Sequence, residues 1–121
     1  MKIENIKFKA KKTLDGKWIK GDLVHHKDSD SVWITDYENQ LTSPVDPSTI
    51  CQFTGLKDCD GKEVWEGDII EFYDRKHTIV WSQKEAAYIL VYIKDDKFWN
   101  ICGVLEFAPF KVVGNKFDKE K

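Results

Sequence analysis

Cysteine is scarce in this sequence, and its spacing argues against two common ways of stabilising a small protein. The 121 residues contain three cysteines, Cys51, Cys59 and Cys102, and no two of them form a CxxC pair. Small secreted domains held by disulfides carry more cysteines, usually an even number. Zinc sites built on cysteine need closely spaced pairs. We therefore expect two packed thiols and one loop thiol, without a metal or redox role.

Long apolar segments are also missing. No run approaches the roughly 20 apolar residues that cross a bilayer. The first residues, MKIENIKFKAKK, interrupt their apolar positions with lysine, which a signal peptide does not do. The sequence therefore predicts a cytoplasmic protein without a membrane partner, and no pattern in it predicts a cofactor. A chain of this length forms one compact domain or two very small ones.

Charge is nearly balanced over the whole chain but unevenly placed. Residues 1–20 contain seven lysines and two acidic residues, whereas the remainder contains 12 basic and 19 acidic residues. Such a basic segment can contact nucleic acid, contact the acidic body of a neighbouring subunit, or simply face solvent along an exposed strand. The candidate contacts to nucleic acid are Lys7, Lys9, Lys11 and Lys12.

Alternation of apolar and polar residues predicts strands along almost the whole chain. The stretch IKFKA, residues 6–10, alternates as a strand with one buried face does, and Asp15-Gly16 is a strong hairpin signal. About ten short strands separated by turn signals favour an all-β fold. We predict a small SH3-like β-barrel in residues 49–121, with an additional N-terminal β-hairpin region in residues 1–48 and little or no helix. The proline-containing stretch 36–48 predicts a boundary between residues 1–48 and residues 49–121.

Two segments resemble each other, GKWIKGDLV at 16–24 and GKEVWEGDII at 61–70. Each places Gly-Asp directly before an apolar pair. Glycine permits a left-handed or bulged backbone, and aspartate can accept hydrogen bonds from nearby amides. Neither Asp22 nor Asp68 has an adjacent base in the pattern. We therefore interpret the repeat as architecture rather than as paired ligand sites or a catalytic motif.

The second segment lies within a longer signature. Residues 49–70, TICQFTGLKDCDGKEVWEGDII, resemble the signature of the YopX family, small proteins of phages and prophages in bacteria. The first strands, IKFKAKKTLDGKWIKGDLV, and the closing FKVVGNKFD are similar to those of the family. Cys51 and Cys59 depart from the family pattern, which argues against a reactive centre in the loop.

The resemblance implies a mainly β, phage-encoded protein that tends to form oligomers, in the cytoplasm of a bacterial host. It assigns no catalytic residues, because the family has no established activity. It does give weight to signature positions as a candidate binding surface: Gln52, Lys57, Asp58, Glu66 and Asp68. Turn geometry accounts for several of these, but it does not explain Gln52 or Lys57, which we therefore expect to lie on the surface.

Aromatic residues are more numerous than a core of this size needs. Exposed aromatics interleaved with lysine can bind single-stranded nucleic acid, but they also form subunit interfaces. Because the net charge is negative, the sequence favours an interface, with candidate residues Trp33, Tyr92 and Trp99.

Other arrangements of chemically active residues are set aside. The loop DCDG at 58–61 lacks the further ligands of a calcium loop, and His25-His26 lacks the spacing of a zinc site. His77 beside Asp74 is expected to be a titrating surface group rather than an acid–base pair. The first expectation is therefore a non-enzymatic binding or assembly module that forms a homo-oligomer. The alternative is an accessory protein that binds single-stranded nucleic acid.

Overall fold

The computed structural model describes residues 2–27, 29–95, 97–100 and 109–118, and it describes only the backbone of 98–100. Two predicted strand segments, 101–102 and 105–107, lie outside these residues. The described chain divides into two compact units, Met1–Phe53 and Thr54–Lys121. This division lies within a single strand, Cys51–Lys57, and the predicted domains 1–48 and 49–121 stay a prediction.

Both units are built from antiparallel strands. Unit 1 contains β1 (Phe8–Lys11), β2 (Trp18–His25), β3 (Val32–Asp36), β4 (Thr42–Val45) and the start of β5 (Cys51–Lys57). Unit 2 contains the rest of β5, β6 (Glu63–Trp65), β7 (Asp68–Phe72), β8 (Arg75–Ser82), β9 (Ala87–Tyr92), β10 (Phe98–Asn100) and β11 (Lys111–Asn115). Two 3-10 turns, Ile3–Asn5 and Pro47–Thr49, are the only helical elements in the described residues. The all-β prediction is confirmed.

Unit 1 is a strongly curled sheet with strand order β4-β3-β2-β1-β5. The end of β4 returns to the end of β1 through an isolated bridge between Lys12 and Val45. The Thr13 N–H donates to the Pro44 carbonyl at 3.1 Å, and the Asp46 N–H donates to the Lys11 carbonyl at 2.9 Å. These contacts are too few to form a ladder, so the described strands of unit 1 make a curled sheet. The closed barrel was predicted for residues 49–121, and there too the described strands form an open sheet, with β10 and β11 at its edges.

The concave side of this sheet holds the core of unit 1. Its buried members are Ala10, Ile19, Ile34 and Val45, with Phe8, Leu23, Val32 and Ile50 packed against them. Each strand contributes alternate residues, as the period of two requires. The residues between them, including the lysines of β1, therefore lie on the opposite side of the sheet, where Lys9 and Lys11 are partly buried.

Unit 2 has strand order β10-β9-β8-β7-β11, and β5 pairs with β6. Its core contains Val64, Ile70, Ile79, Leu90 and Phe110, with Phe72, Tyr88 and Val112 at its border. A register shift between Val112 and Gly114 marks a bulge in β11. Bulges bend and twist a strand locally, and here the bulge comes just before the buried Asn115 at the end of the strand.

The structure distinguishes the two Gly-Asp segments. Gly67 has φ +85° and forms the expected left-handed bend before β7. Gly21 instead lies inside β2, where an added Cβ would stand 1.8 Å from the backbone oxygen of Thr35. The architectural interpretation is therefore right for Gly67, but the expected bend at Gly21 is wrong. Glycine is needed there because β3 passes too close for any side chain.

We predict that Gly21→Ala destabilises the protein by about 3 kcal/mol or more, because a backbone oxygen cannot move aside as a side chain can. Urea unfolding followed by tryptophan fluorescence measures the change. Gly114→Ala is the control, since its added Cβ meets nothing within 4 Å. Equal unfolding midpoints for the two variants would show that the close approach is unimportant.

Candidate functional site

Asp58 holds the signature loop through its carboxylate. The N–H groups of Asp60 and Lys62 donate to Oδ1 at 2.9 and 2.8 Å, and the Val112 N–H donates to Oδ2 at 3.0 Å. Its side chain is only 7% exposed. The carboxylate therefore fixes both the turn at 58–62 and the position of β11.

Burial by itself raises the pKa of a carboxyl group, but hydrogen bonds to the charged form lower it. At Asp58 the net direction is downward. Burial raises the pKa, whereas the N–H groups of Val112, Lys62 and Asp60 and the positive charge of Lys62 lower it below 3.8. Asp58 therefore stays ionised at neutral pH and acts as a clamp on backbone amides.

Asp68 has a similar structural role at the second bend. The Trp65 N–H donates to its Oδ2 at 2.7 Å, and Nδ2 of Asn115 donates to its Oδ1 at 2.9 Å. Only 2% of Asp68 is exposed. The structure thus assigns the carboxylates of Asp58 and Asp68 to internal hydrogen bonds.

The other signature candidates lie nearer the surface. Gln52 is exposed opposite Phe8 of β1, and Lys57 is exposed at the end of β5. Glu66 is partly buried, and its backbone carbonyl accepts a bond of 3.5 Å from Nδ2 of Asn115. The signature therefore combines two buried carboxylates, Asp58 and Asp68, with two exposed residues, Gln52 and Lys57. That the exposed residues contact a ligand stays a prediction.

A second candidate surface is the outer side of the unit 1 sheet. The ammonium groups of Lys9 and Lys11 lie 4.7 and 5.3 Å from the ring centroid of Trp18. The β1–β2 register places Lys11 opposite Trp18 and Lys9 opposite Lys20, so these residues share one face of the sheet. We call this surface the lysine face and define it by Lys7, Lys9, Lys11, Trp18 and Lys20.

Lys7 continues the lysine face beyond the start of β1. Its ammonium group lies 4.6 Å from the ring centroid of Phe53 and 6.0 Å from that of Tyr37. Lys12 directly follows Lys11, so its side chain lies on the opposite side of the strand. It forms a salt bridge of 3.4 Å with Asp15. Three of the four predicted nucleic-acid lysines are thus brought together, and Lys12 is directed elsewhere.

The predicted interface aromatics have different surroundings. Trp33 is partly buried on β3. Tyr92 is partly buried on β9, with the Arg75 guanidinium 5.6 Å from its ring centroid. Trp99 lies on β10, but its side chain is outside the described residues. Trp33 belongs to unit 1, whereas Tyr92 and Trp99 belong to unit 2. All three stay predictions as interface residues.

His77 is not the surface group that the sequence suggested. Only 1% of it is exposed, and its ring stacks on Phe72 at 4.3 Å between centroids and lies 5.2 Å from Tyr92. Burial lowers the pKa of His77, and the nearby charge of Arg75 lowers it further, against opposing contributions from an Arg75 backbone hydrogen bond and from Asp95. The imidazole therefore behaves at neutral pH as an uncharged aromatic member of the core.

The described residues contain no group of three His, Cys, Asp or Glu side chains that could hold a metal ion. His25 and His26 are both exposed. No helix among the described residues has the length and apolar character to span a membrane.

Sequence reasoning missed Trp18, Lys20 and Tyr37 as neighbours of the lysines. A signal for Trp18 was present, because Asp15-Gly16 predicts the hairpin and the hairpin sets the register. The Lys12 N–H donates to the Lys17 carbonyl at 2.9 Å, and Gly16 has φ +73°. The turn therefore brings Trp18 opposite Lys11. Tyr37 follows β3, and no local pattern relates it to Lys7.

The architecture defines a small all-β protein of two antiparallel sheets, whose signature loop is held by buried aspartates. The chain belongs to the YopX family: the family's sequence model, described as YopX protein, matches residues 7–120. The resemblance seen in the sequence is confirmed over nearly the whole chain. A comparison with curated proteins found no match.

We predict that Asp58→Asn destabilises the protein by about 1–3 kcal/mol, the usual cost of leaving a buried donor unsatisfied. The asparagine NH2 group faces backbone N–H groups, so at least one of the three loses its acceptor. Urea unfolding followed by circular dichroism measures the change. Asp60→Asn removes the same charge from an exposed position in the same loop and is the matched control. Equal losses in both variants would refute the clamp.

The depressed pKa of Asp58 also sets the sign of a pH dependence. Below 3.8 the unfolded chain binds the proton more readily than the folded one. The stabilisation is therefore complete above that pH and is lost as the pH falls through the folded pKa. The free energies of unfolding of the wild type and Asp58→Asn should differ by a constant amount above about pH 5 and converge below about pH 4.

Proposed function

We propose that this protein is a non-enzymatic binding module of the bacterial cytoplasm, and that its lysine face binds single-stranded nucleic acid. The observation that carries the proposal is the placement of Lys9 and Lys11 over one indole ring, both within 5.3 Å of its centroid. Two ammonium groups beside one aromatic ring bring together the positive charge and the stacking surface that a single strand contacts. The lysine face is therefore suited to a polyanion.

The geometry of β1 supports an extended strand as the ligand. The Cα atoms of lysines at every second position of a β-strand lie about 6.6–6.8 Å apart, so Lys7, Lys9 and Lys11 leave the same face of the sheet in one row. The ammonium groups of Lys9 and Lys11 converge on Trp18, and that of Lys7 lies beside Phe53. Aromatic residues interleaved with such a row are typical of proteins that bind single strands. The whole chain has a net charge of −2. Attraction of an anionic strand must therefore come from the lysine face and not from the overall charge.

We predict that a labelled single-stranded oligonucleotide binds with a slope of log affinity against log salt of about −2, as expected for three phosphate contacts. Between 50 and 200 mM salt this corresponds to a loss of roughly 20-fold in affinity. Fluorescence anisotropy at several salt concentrations measures the slope. A Lys9→Gln/Lys11→Gln variant should bind weakly, with a slope of about −0.7.

The control for this experiment is Lys76→Gln/Lys84→Gln, which removes two exposed lysines from unit 2. It should bind as the wild type does. An absence of binding at 50 mM salt would overturn the proposal, and equal losses in both double variants would reduce it to non-specific charge attraction.

Self-association is a second candidate, favoured by an unusual turn in unit 2. Tyr73 and Asp74 connect β7 to β8 with φ values of +50° and +60°. Left-handed backbone at a bulky residue costs roughly 1–3 kcal/mol and is concentrated at functional sites. Tyr73 is nevertheless 72% exposed, so the fold gains little packing from it.

The same end of the sheet presents the residue types that dominate subunit contacts. Ile93 is exposed there, where its N–H donates to the Lys76 carbonyl at 3.2 Å. The nearby Arg75 lies over Tyr92. Tyrosine and arginine are enriched at interfaces. A second copy of this chain is the partner that the family resemblance implies.

We predict that Tyr73→Asn raises the unfolding free energy of the monomer by about 0.5–1 kcal/mol, because asparagine tolerates the left-handed region. The same variant should lower the oligomeric mass measured by light scattering at high protein concentration. Tyr88→Phe is the control: it changes another tyrosine of the same sheet but keeps the aromatic ring. A wild type that stays monomeric at high concentration would rule out this candidate without affecting the nucleic-acid proposal.

A further inference from the structure

An open groove lies at one end of the lysine face. It encloses about 270 Å³, which is near the lower limit of typical small-molecule sites, so it suits a single ring system better than a large cofactor. The residues that line it all belong to unit 1: Ile3, Glu4, Ile6, Lys7, Asp22 and Tyr37. The 3-10 turn Ile3–Asn5 forms one wall, and Tyr37, directly after β3, forms another.

The groove continues the lysine face because Lys7 belongs to both. In the β1–β2 register Phe8 faces Gly21, so Lys7 and Asp22 come next to each other at the same end of the hairpin. The Lys7 ammonium lies 6.0 Å from the Tyr37 ring centroid. A polyanion that follows Lys11, Lys9 and Lys7 therefore arrives at the mouth of the groove.

Polarity inside the groove differs from that of the lysine face. Its walls are mainly apolar, formed by Ile3, Ile6 and the ring of Tyr37, which is 49% exposed. Two carboxylates, those of Glu4 and Asp22, add hydrogen-bond acceptors. In the described part of the chain no side chain or backbone group donates to the Asp22 carboxylate, so its acceptor capacity is available to a ligand.

This combination matches the parts of one nucleotide. The apolar cleft with its aromatic wall can stack against the face of a base, and the lysine at its mouth can donate hydrogen bonds to the phosphate. A carboxylate can accept hydrogen bonds from the amino group of a base. Cytosine carries such an amino group, whereas thymine presents a carbonyl at the same position. A carboxylate beside that carbonyl is repulsive, so the groove discriminates between the two.

We propose that the groove holds one base of a single strand bound along the lysine face and prefers cytosine to thymine through Asp22. The inference rests on the proposed nucleic-acid function and adds to it a base site with a stated preference. Stacking against Tyr37 supplies affinity for any base, and Asp22 supplies the discrimination. The salt dependence, by contrast, comes from the lysines alone.

The test compares short oligocytidine and oligothymidine strands by fluorescence anisotropy at 50 mM salt. The wild type should bind oligocytidine about fivefold or more tightly than oligothymidine. Asp22→Asn should abolish this preference while leaving the salt slope unchanged. Asp30→Asn, which removes the same charge from an exposed loop position, should retain the preference. Running the same sequences as DNA and as RNA distinguishes the two sources of the strand.

Tyr37 is tested separately. Tyr37→Ala should weaken the binding of both oligonucleotides by a similar factor, about 5-fold or more. Tyr37→Phe keeps the ring and should bind as the wild type does. It is the control that the fold tolerates a change at this position. Binding of both strands with equal affinity, unaltered by Asp22→Asn, would overturn the base site and leave the lysine face standing. An absence of binding by the wild type would overturn both.

Discussion

Alternation along β1 is the constraint on which the fold and the candidate function of unit 1 both depend. Because a β-strand turns successive side chains to opposite faces, the same four residues send Phe8 and Ala10 into the core and Lys9 and Lys11 to the outside. A shift of one residue in the β1–β2 register would bury the lysines and expose the core. The core therefore holds the lysine face in place, although it contributes no binding group.

The signature of the YopX family acquires a physical explanation from the buried aspartates. Asp58 accepts three backbone N–H groups, and Asp68 accepts one together with the amide of Asn115. Buried carboxylates are costly unless they are hydrogen-bonded, so these positions tolerate little substitution. The strongest part of the sequence pattern thus describes how unit 2 is held together, and the candidate binding surface lies in the less distinctive first strands.

Local pattern predicted the strands and the first hairpin correctly, because period-two alternation and Asp15-Gly16 act over a few residues. It did not predict the different roles of the two Gly-Asp segments. Gly67 is required by its own φ, whereas Gly21 is required by the backbone of Thr35 on another strand. It also misjudged His77, whose burial depends on Phe72 and Tyr92 rather than on the neighbouring charged turn. The predicted closure into a barrel failed for a related reason, since closure depends on the curl of the whole sheet.

The sequence by itself determined the class of fold, the family and the outward row of lysines, since each of these follows from residue order within a few positions. Only the tertiary structure decided which groups meet across strands: Trp18 beneath two ammonium groups, and Tyr37 beside Lys7 and Asp22. The physical reason is that strand register and sheet curl bring together residues far apart in the chain. Those distances depend on the packing of the entire unit and have no counterpart in any short stretch of sequence.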